Sequence, residues 1–298
     1  MAPAIEVAHP ALRDVLAEDA VIERVAAGFG FTEGPVWRGD HLLFSDIPNS
    51  RIVRWRHLPE GPEVTTFRTP SGHSNGHTLD HAGRLISCEH TTRRVTRTEA
   101  DGSLTVLAER FDGQRLNSPN DVVVRSDGAI FFTDPPYGLG PEEAGKECAC
   151  NGVYRLDLDG TLTCLVEDFD RPNGLAFSPD ERTLYVDDTR RNHIRAFDVD
   201  AAGTLQRGRL FAELRATERG GADGMKVDVA GRVWCTGPGG VWVFAADGAY
   251  LGRVRLPEIP ANLAWGDEDW RTLYLTAQTG LYRLRVQTPG QTVGMAVE

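Results

Sequence analysis

Arg171-Pro172-Asn173-Gly174-Leu175-Ala176-Phe177-Ser178-Pro179-Asp180 carries a pattern that recurs five more times in this 298-residue chain. A polar residue able to bind a cation opens a short apolar run, a turn follows, and a second apolar run ends in Ser, Thr or Asp. The other copies open at Glu33-Gly34-Pro35-Val36, Asn75-Gly76-His77-Thr78, Asn120-Asp121-Val122-Val123, Asp223-Gly224-Met225-Lys226 and Asn262-Leu263-Ala264-Trp265. Their spacings of 39 to 53 residues are those of propeller blades rather than helical solenoid units or leucine-rich repeats. The turns between the two apolar runs, such as Ser126-Asp127-Gly128, are rich in Asp and Gly, as hairpin geometry requires. The spacing predicts an all-β, six-bladed propeller of four-stranded blades.

Without a Pro/Gly/Ser linker between copies, residues 1–298 read as one propeller domain with residues 1–20 as an N-terminal extension, where Pro10 to Ala17 allows a short helix. The sixth repeat offers three strands, while Val21 to Ala26 alternates with period two outside any repeat. That strand is expected to complete the last blade and close the ring, removing open sheet edges. Pro136 to Asn151, holding Cys148-Ala149-Cys150, is the longest interruption and is expected to be a loop. The six tryptophans are expected to pack between blades.

Composition excludes several partners. Asp+Glu 43 against Lys+Arg 32 gives a net charge of -11 with no basic cluster, which repels phosphate backbones and anionic lipid. No run of about 18 apolar residues exists to cross a membrane as a helix. Five cysteines without regular spacing point to a reducing compartment, and the expectation is a cytoplasmic protein, monomeric or weakly self-associating.

The first strand of each propeller blade lines the central channel, so Glu33, Asn75, Asn120, Asn173, Asp223 and Asn262 form a ring at one end. Any one Asn-Gly is an ordinary turn dipeptide. Six in register, with a Glu that turns do not favour, point instead to an all-oxygen site for a hard divalent cation. A second register, Asp46, Glu89, Asp134 and Asp188, reads as turn caps. His73 and His77 flank Asn75 and read as ordinary histidines before pocket residues.

Phe31-Thr32-Glu33-Gly34-Pro35-Val36-Trp37, Leu116-Asn117-Ser118-Pro119-Asn120-Asp121, Arg171-Pro172-Asn173-Gly174-Leu175 and Ala222-Asp223-Gly224-Met225 resemble the regucalcin/gluconolactonase family of six-bladed propellers. Ser118-Pro119-Asn120-Asp121 and Thr133-Asp134-Pro135-Pro136-Tyr137-Gly138 resemble its microbial gluconolactonases in particular. The resemblance implies one divalent metal held by Glu33, Asn173 and Asp223, with Asn120 as fourth ligand or substrate contact. Calcium is the ion expected, with magnesium, manganese and zinc as alternatives. It further implies metal-dependent opening of a sugar lactone, D-glucono-1,5-lactone first, with Asp223 as catalytic base. Regucalcin-like members carry an Arg where this chain has Ser118, so substrate recognition is expected through Asn75, His90, Arg115, Asn117, Asn120 and Tyr137. Two other readings stay open: a phosphorus ester or fluoride hydrolase of the diisopropylfluorophosphatase type, and a non-catalytic calcium-binding propeller.

Overall fold

The computed structural model describes residues 4–17 and 19–292. Six antiparallel sheets stand in a ring, each built on four consecutive strands or on three strands plus Glu23–Ala27. Blade 1 comprises Thr32–Arg38, His41–Asp46, Arg51–Leu58 and Gly61–Arg68. Blade 2 comprises Ser74–Leu79, Leu85–Glu89, Arg94–Thr98 and Leu104–Ala108. Blade 3 comprises Val122–Val124, Ile130–Asp134, Gly152–Leu156 and Leu162–Val166. Blade 4 comprises Pro172–Phe177, Thr183–Asp188, His193–Val199 and Leu205–Glu213. Blade 5 comprises Met225–Val227, Val233–Gly237, Gly240–Phe244 and Tyr250–Val254.

Blade 6 supplies Pro260–Gly266, Thr272–Ala277 and Gly280–Arg285, and its fourth strand is Glu23–Ala27, which pairs with Gly280–Arg285. The ring therefore closes as the alternation at 21–26 predicts, within two residues at the start.

The N-terminal extension does more than precede the ring. Ile5–Val7 adds a fifth strand to blade 5, pairing with Tyr250–Val254, and the short helix expected nearby is a 3-10 turn at Pro10–Asp14. Leu12, Val15 and Leu16 have no exposed surface and join the cluster between blades 5 and 6 that contains Trp234 and Trp265. Three residues are too short to show a period, so this strand has no sequence signature; it exists because Ile5 and the leucines are buried.

The repeated pattern has a packing reason. Wherever a Gly follows a ring residue, a neighbouring first strand approaches its backbone: Gly76 N donates to Asn120 O (2.8 Å), Gly174 N to Asp223 O (2.9 Å) and Gly224 N to Ala261 O (2.7 Å). A Cβ on Gly174 would lie 2.2 Å from Asp223 O, so only glycine permits the approach. A Ser or Thr one residue before the end of the second strand then staples neighbouring blades: Ser45 Oγ donates to Asn75 O (2.9 Å), Thr133 Oγ1 to Asn173 O (2.8 Å) and Thr236 Oγ1 to Ala261 O (2.8 Å). Aromatic pairs fill the joints between blades, with Trp37 stacked on Tyr274 at 5.4 Å and Trp234 edge-on to Trp265 at 5.7 Å. Among the described residues no helix is long and apolar enough to cross a membrane.

Candidate metal and substrate site at the channel mouth

Each ring residue stands within two residues of the start of its blade's first strand, so the pleat aims six polar side chains at one end of the channel. Glu33, Asn75, Asn120, Asn173 and Asn262 are all at least 95% buried, and Asp223 is half-buried. The six fall into two linked groups. Glu33 Oε2 accepts from its neighbour Gly34 N and from Asn262 Nδ2 (2.9 Å), and its carboxyl also meets that of Asp223. Asn173 lies against Asp223 and sends Nδ2 to Thr189 Oγ1 (3.0 Å). On the other side, Asn75 Nδ2 donates to Asn120 Oδ1 (3.0 Å) and sits 3.3 Å from His90 Nε2.

The electrostatics of this mouth are one-sided. Burial raises the proton affinity of Glu33, and the charge of Asp121 adds to it. Asp223 is raised well above the usual carboxylate range by burial, then by Glu33 and Asp187. Asp187 is pushed the same way by burial and by Asp121. Lys226, one of two lysines in the chain, is the cation beneath this layer: its Nζ donates to Met225 O (3.0 Å) and Asn262 Oδ1 (3.3 Å) and lies 3.7 Å from Asp121 Oδ2. Buried Asp121 Oδ2 and Asp187 Oδ1 accept no hydrogen bond among the described residues. Oxygen donors alone, surplus negative charge and acceptors without donors are what a hard divalent cation resolves, so the residues fit one.

Asp121, Asp187 and Lys226 are additions to the ring that the sequence reading did not single out. Asp187 had a signal. Set opposite the ring residues, the second strands place Ser45, Cys88, Thr133, Asp187, Thr236 and Thr276 in one register, and Asp187 is the single carboxylate among hydroxyls and a thiol. Asp188, its neighbour, points to the opposite side of the strand and accepts from Asp170 N (2.8 Å), Arg171 N (3.2 Å) and Arg190 N (3.0 Å). Asp46, Glu89 and Asp134 do similar work, binding Gly30 N (2.9 Å), Thr96 Oγ1 (2.9 Å) and Asn117 N (2.7 Å), so the second register is structural as expected.

The candidate substrate residues divide. Tyr137 opens a 3-10 turn, is 38% exposed, and its hydroxyl meets Thr189 and Asn173; burial, then the charges of Asp223 and Asp187, keeps it protonated. His90 is buried beside Asn75, and burial holds its ring down to about 4, so it is neutral at neutral pH. Asn117 is fully buried and spends Nδ2 on Asp134 O (3.0 Å) and Cys150 O (2.9 Å), while Arg115 donates to Thr92 O (3.2 Å). These two brace the chain around the mouth, and among the described residues their side chains make no hydrogen bond to the ring. Ser118 Oγ donates to Pro135 O (2.6 Å) and accepts from Gly138 N (2.8 Å). A Cβ on Gly138 would lie 2.8 Å from the Cβ atoms of both Ser118 and His90, so the turn that delivers Tyr137 packs directly on Ser118 and leaves no room for an Arg there. His77 is bound between Ser45 Oγ (2.8 Å) and Ser87 Oγ (2.9 Å) and is a core histidine.

A cavity of about 570 Å³ opens at the opposite end of the channel, lined by Val36, Trp37, Val122, Phe177 and Trp265 with Lys226 among them. Its wall is mainly apolar, and the oxygen donors gather at the ring end.

Residues 31–279 match the family described as SMP-30/Gluconolactonase/LRE-like region. The chain belongs to that family. It is 34% identical to a gluconolactonase of Zymomonas mobilis over 94% of this chain and 85% of that one. A pentonolactonase of Haloferax volcanii is 30% identical over 83% of this chain and 81% of its own length. Among solved structures, a gluconolactonase of Xanthomonas campestris superposes with a TM-score of 0.87 at 38% identity, covering 95% of this chain and 94% of that one.

Proposed function

We propose that the protein hydrolyses a sugar aldonolactone, D-glucono-1,5-lactone first, to the free acid in a reaction that depends on a divalent cation at the channel mouth. The observation that carries this reading is the meeting of Glu33, Asn173 and Asp223 with Tyr137 against Asn173, in a chain whose relatives of comparable length include lactonases.

Glu33, Asn120, Asn173 and Asp223 would hold the ion, and calcium matches the all-oxygen donor set best, ahead of magnesium, manganese and zinc. When bound, the cation supplies Lewis-acid polarisation of the lactone carbonyl and stabilises negative charge developing on its oxygen. Glu33 is fixed by Gly34 and Asn262 and serves to hold charge in place. Asp223 is the less buried of the two carboxylates, which leaves it within reach of the attacking water, and with the cation bound its carboxylate is the group to take that water's proton. Tyr137, kept protonated, offers a donor to a substrate hydroxyl, and Asn75 with neutral His90 braces Asn120 against the substrate side. Uncharged donors and acceptors around a polyhydroxylated ring recognise hydroxyl groups without demanding a charged ligand.

A panel of purified aldonolactones of five- and six-membered ring, assayed by acid release and corrected for spontaneous opening, tests the reading. Turnover of at least one sugar lactone supports it; a panel with no rate above the spontaneous one, in every metal tried, refutes it. On this reading the partner is a small sugar lactone, the net charge of -11 disfavours nucleic acid and anionic membrane, and a cytoplasmic monomer or weak homo-oligomer would suffice for this chemistry.

A further inference from the structure

Away from the channel, the long loop of blade 3 ends at Cys150, and the blade's outer strand Leu162–Val166 carries Cys164 with Glu167 directly after it. Cys150 Sγ and Cys164 Sγ lie 4.0 Å apart, and a Glu167 carboxylate oxygen lies within 4.8 Å of both. Both thiols are half-buried and Glu167 is exposed, so the group is open to solvent on one side. Nothing in the ring chemistry uses it.

We propose that Cys150, Cys164 and Glu167 form a second, thiolate-type site for a zinc-class divalent cation. Two zinc–sulfur bonds of about 2.3 Å at a tetrahedral angle place the sulfurs roughly 3.8 Å apart, so the pair is already spaced for a metal. A disulfide would need the sulfurs to close to about 2.05 Å, a far larger movement. Two thiolates and one carboxylate leave a fourth position for water. Soft sulfur ligands select zinc-class ions over calcium or magnesium, so the two sites divide the available cations by chemistry. Binding converts two thiols to thiolates and releases two protons to solvent.

Occupancy would clasp the end of the loop to the outer strand. The consequence reaches the mouth through the backbone, because Cys150 O accepts from Asn117 Nδ2 at 2.9 Å and Asn117 precedes Ser118, on which the Tyr137 turn rests. The ion would thus brace the segment that delivers Tyr137 without touching the ring.

Cobalt(II) titrated into reduced, metal-stripped protein separates the sites, since thiolate-to-cobalt charge transfer arises only where sulfur binds and an all-oxygen ring gives none. One cobalt–thiolate site per chain is expected, displaced by zinc. Cys150→Ser and Cys164→Ser should lose the band, while Cys88→Ser and Glu33→Gln retain it. Protection of wild-type Cys150 from alkylation by added zinc, read by mass spectrometry, gives the same answer without any variant. A saturated titration with no charge-transfer band, an undiminished band in Cys164→Ser, or equal alkylation of Cys150 with and without zinc overturns the proposal.

Discussion

Gly174→Ala tests how tightly the ring is assembled. The added Cβ would meet Asp223 O at 2.2 Å, Asp187 Oδ2 at 2.7 Å and Met225 N at 2.8 Å, where real Cβ atoms keep at least 3.0 Å. The first strands of blades 4 and 5 must therefore separate by roughly 0.8 Å at this point. Overpacking of this kind costs about 1–3 kcal/mol, and weakening the Gly174 N to Asp223 O hydrogen bond adds about 0.5–1.5 kcal/mol. With an unfolding entropy of about 2.1 cal/mol/K per residue, the sum lowers Tm by roughly 2–7 °C. Because the backbone displaced is that of Asp223, cation binding should weaken along with stability. Calorimetry in metal-free and metal-loaded protein measures both. Gly83→Ala is the control: its φ of +70 strains alanine, but no atom lies within 4 Å of the new Cβ and the turn is remote from the mouth. Gly83→Ala should lose about 1–2 kcal/mol and bind cation normally. If Gly174→Ala melts like wild type and binds the ion unchanged, the close approach of blades at the ring is wrong.

Leu12→Ala should cost about 2–5 kcal/mol, measured by denaturant unfolding, because this residue of the N-terminal extension is fully buried against blade 5. Removing residues before Gly28 should be worse, since it also deletes the strand Glu23–Ala27 that closes blade 6; an unchanged melt would refute ring closure. Asp187→Thr, which restores the residue type found in the same register of blades 3, 5 and 6, should raise metal-free Tm at pH 8. Asp187 has its folded pKa raised, so its ionisation destabilises the fold as pH climbs above the unfolded carboxylate range, and the gain should vanish near pH 4. Asp223→Asn, saturated with metal, should lose kcat, whereas Asn120→Ala should chiefly raise KM; wild-type turnover by Asp223→Asn across neutral pH would remove it as the base.

The sequence carried the fold because blade packing imposes a local rule six times over: a polar residue, a glycine that lets the next strand approach, and a small hydroxyl that staples it. Repetition turned individually weak turn signals into a ring, in which the side chains of Glu33, Asn173 and Asp223 are neighbours. Features outside the repeat were harder to see. Ile5–Val7 is too short for a period and is held by tertiary burial. Asp187 breaks the Ser/Thr register, yet only pairing each second strand with its first reveals that register. Arg115 and Asn117 sit close in sequence to Asn120, but their side chains turn to Thr92, Asp134 and Cys150, because the segment before a channel strand must be tied to the loops around it. Lys226 stands two residues past the Gly-containing turn and reaches across to blades 3 and 6, a contact that no linear spacing encodes.

The most direct test of a metal-dependent sugar lactonase is turnover of glucono-1,5-lactone by stripped protein, with calcium, magnesium, manganese or zinc restored one at a time, in wild type and Glu33→Gln. Glu33→Gln keeps the side-chain shape while removing one negative charge from the ring. The account predicts loss of activity on stripping, recovery with at least one divalent ion in wild type, and a requirement for far more of that ion in Glu33→Gln. Full activity in stripped wild-type protein, or identical metal dependence in the two proteins, would contradict it.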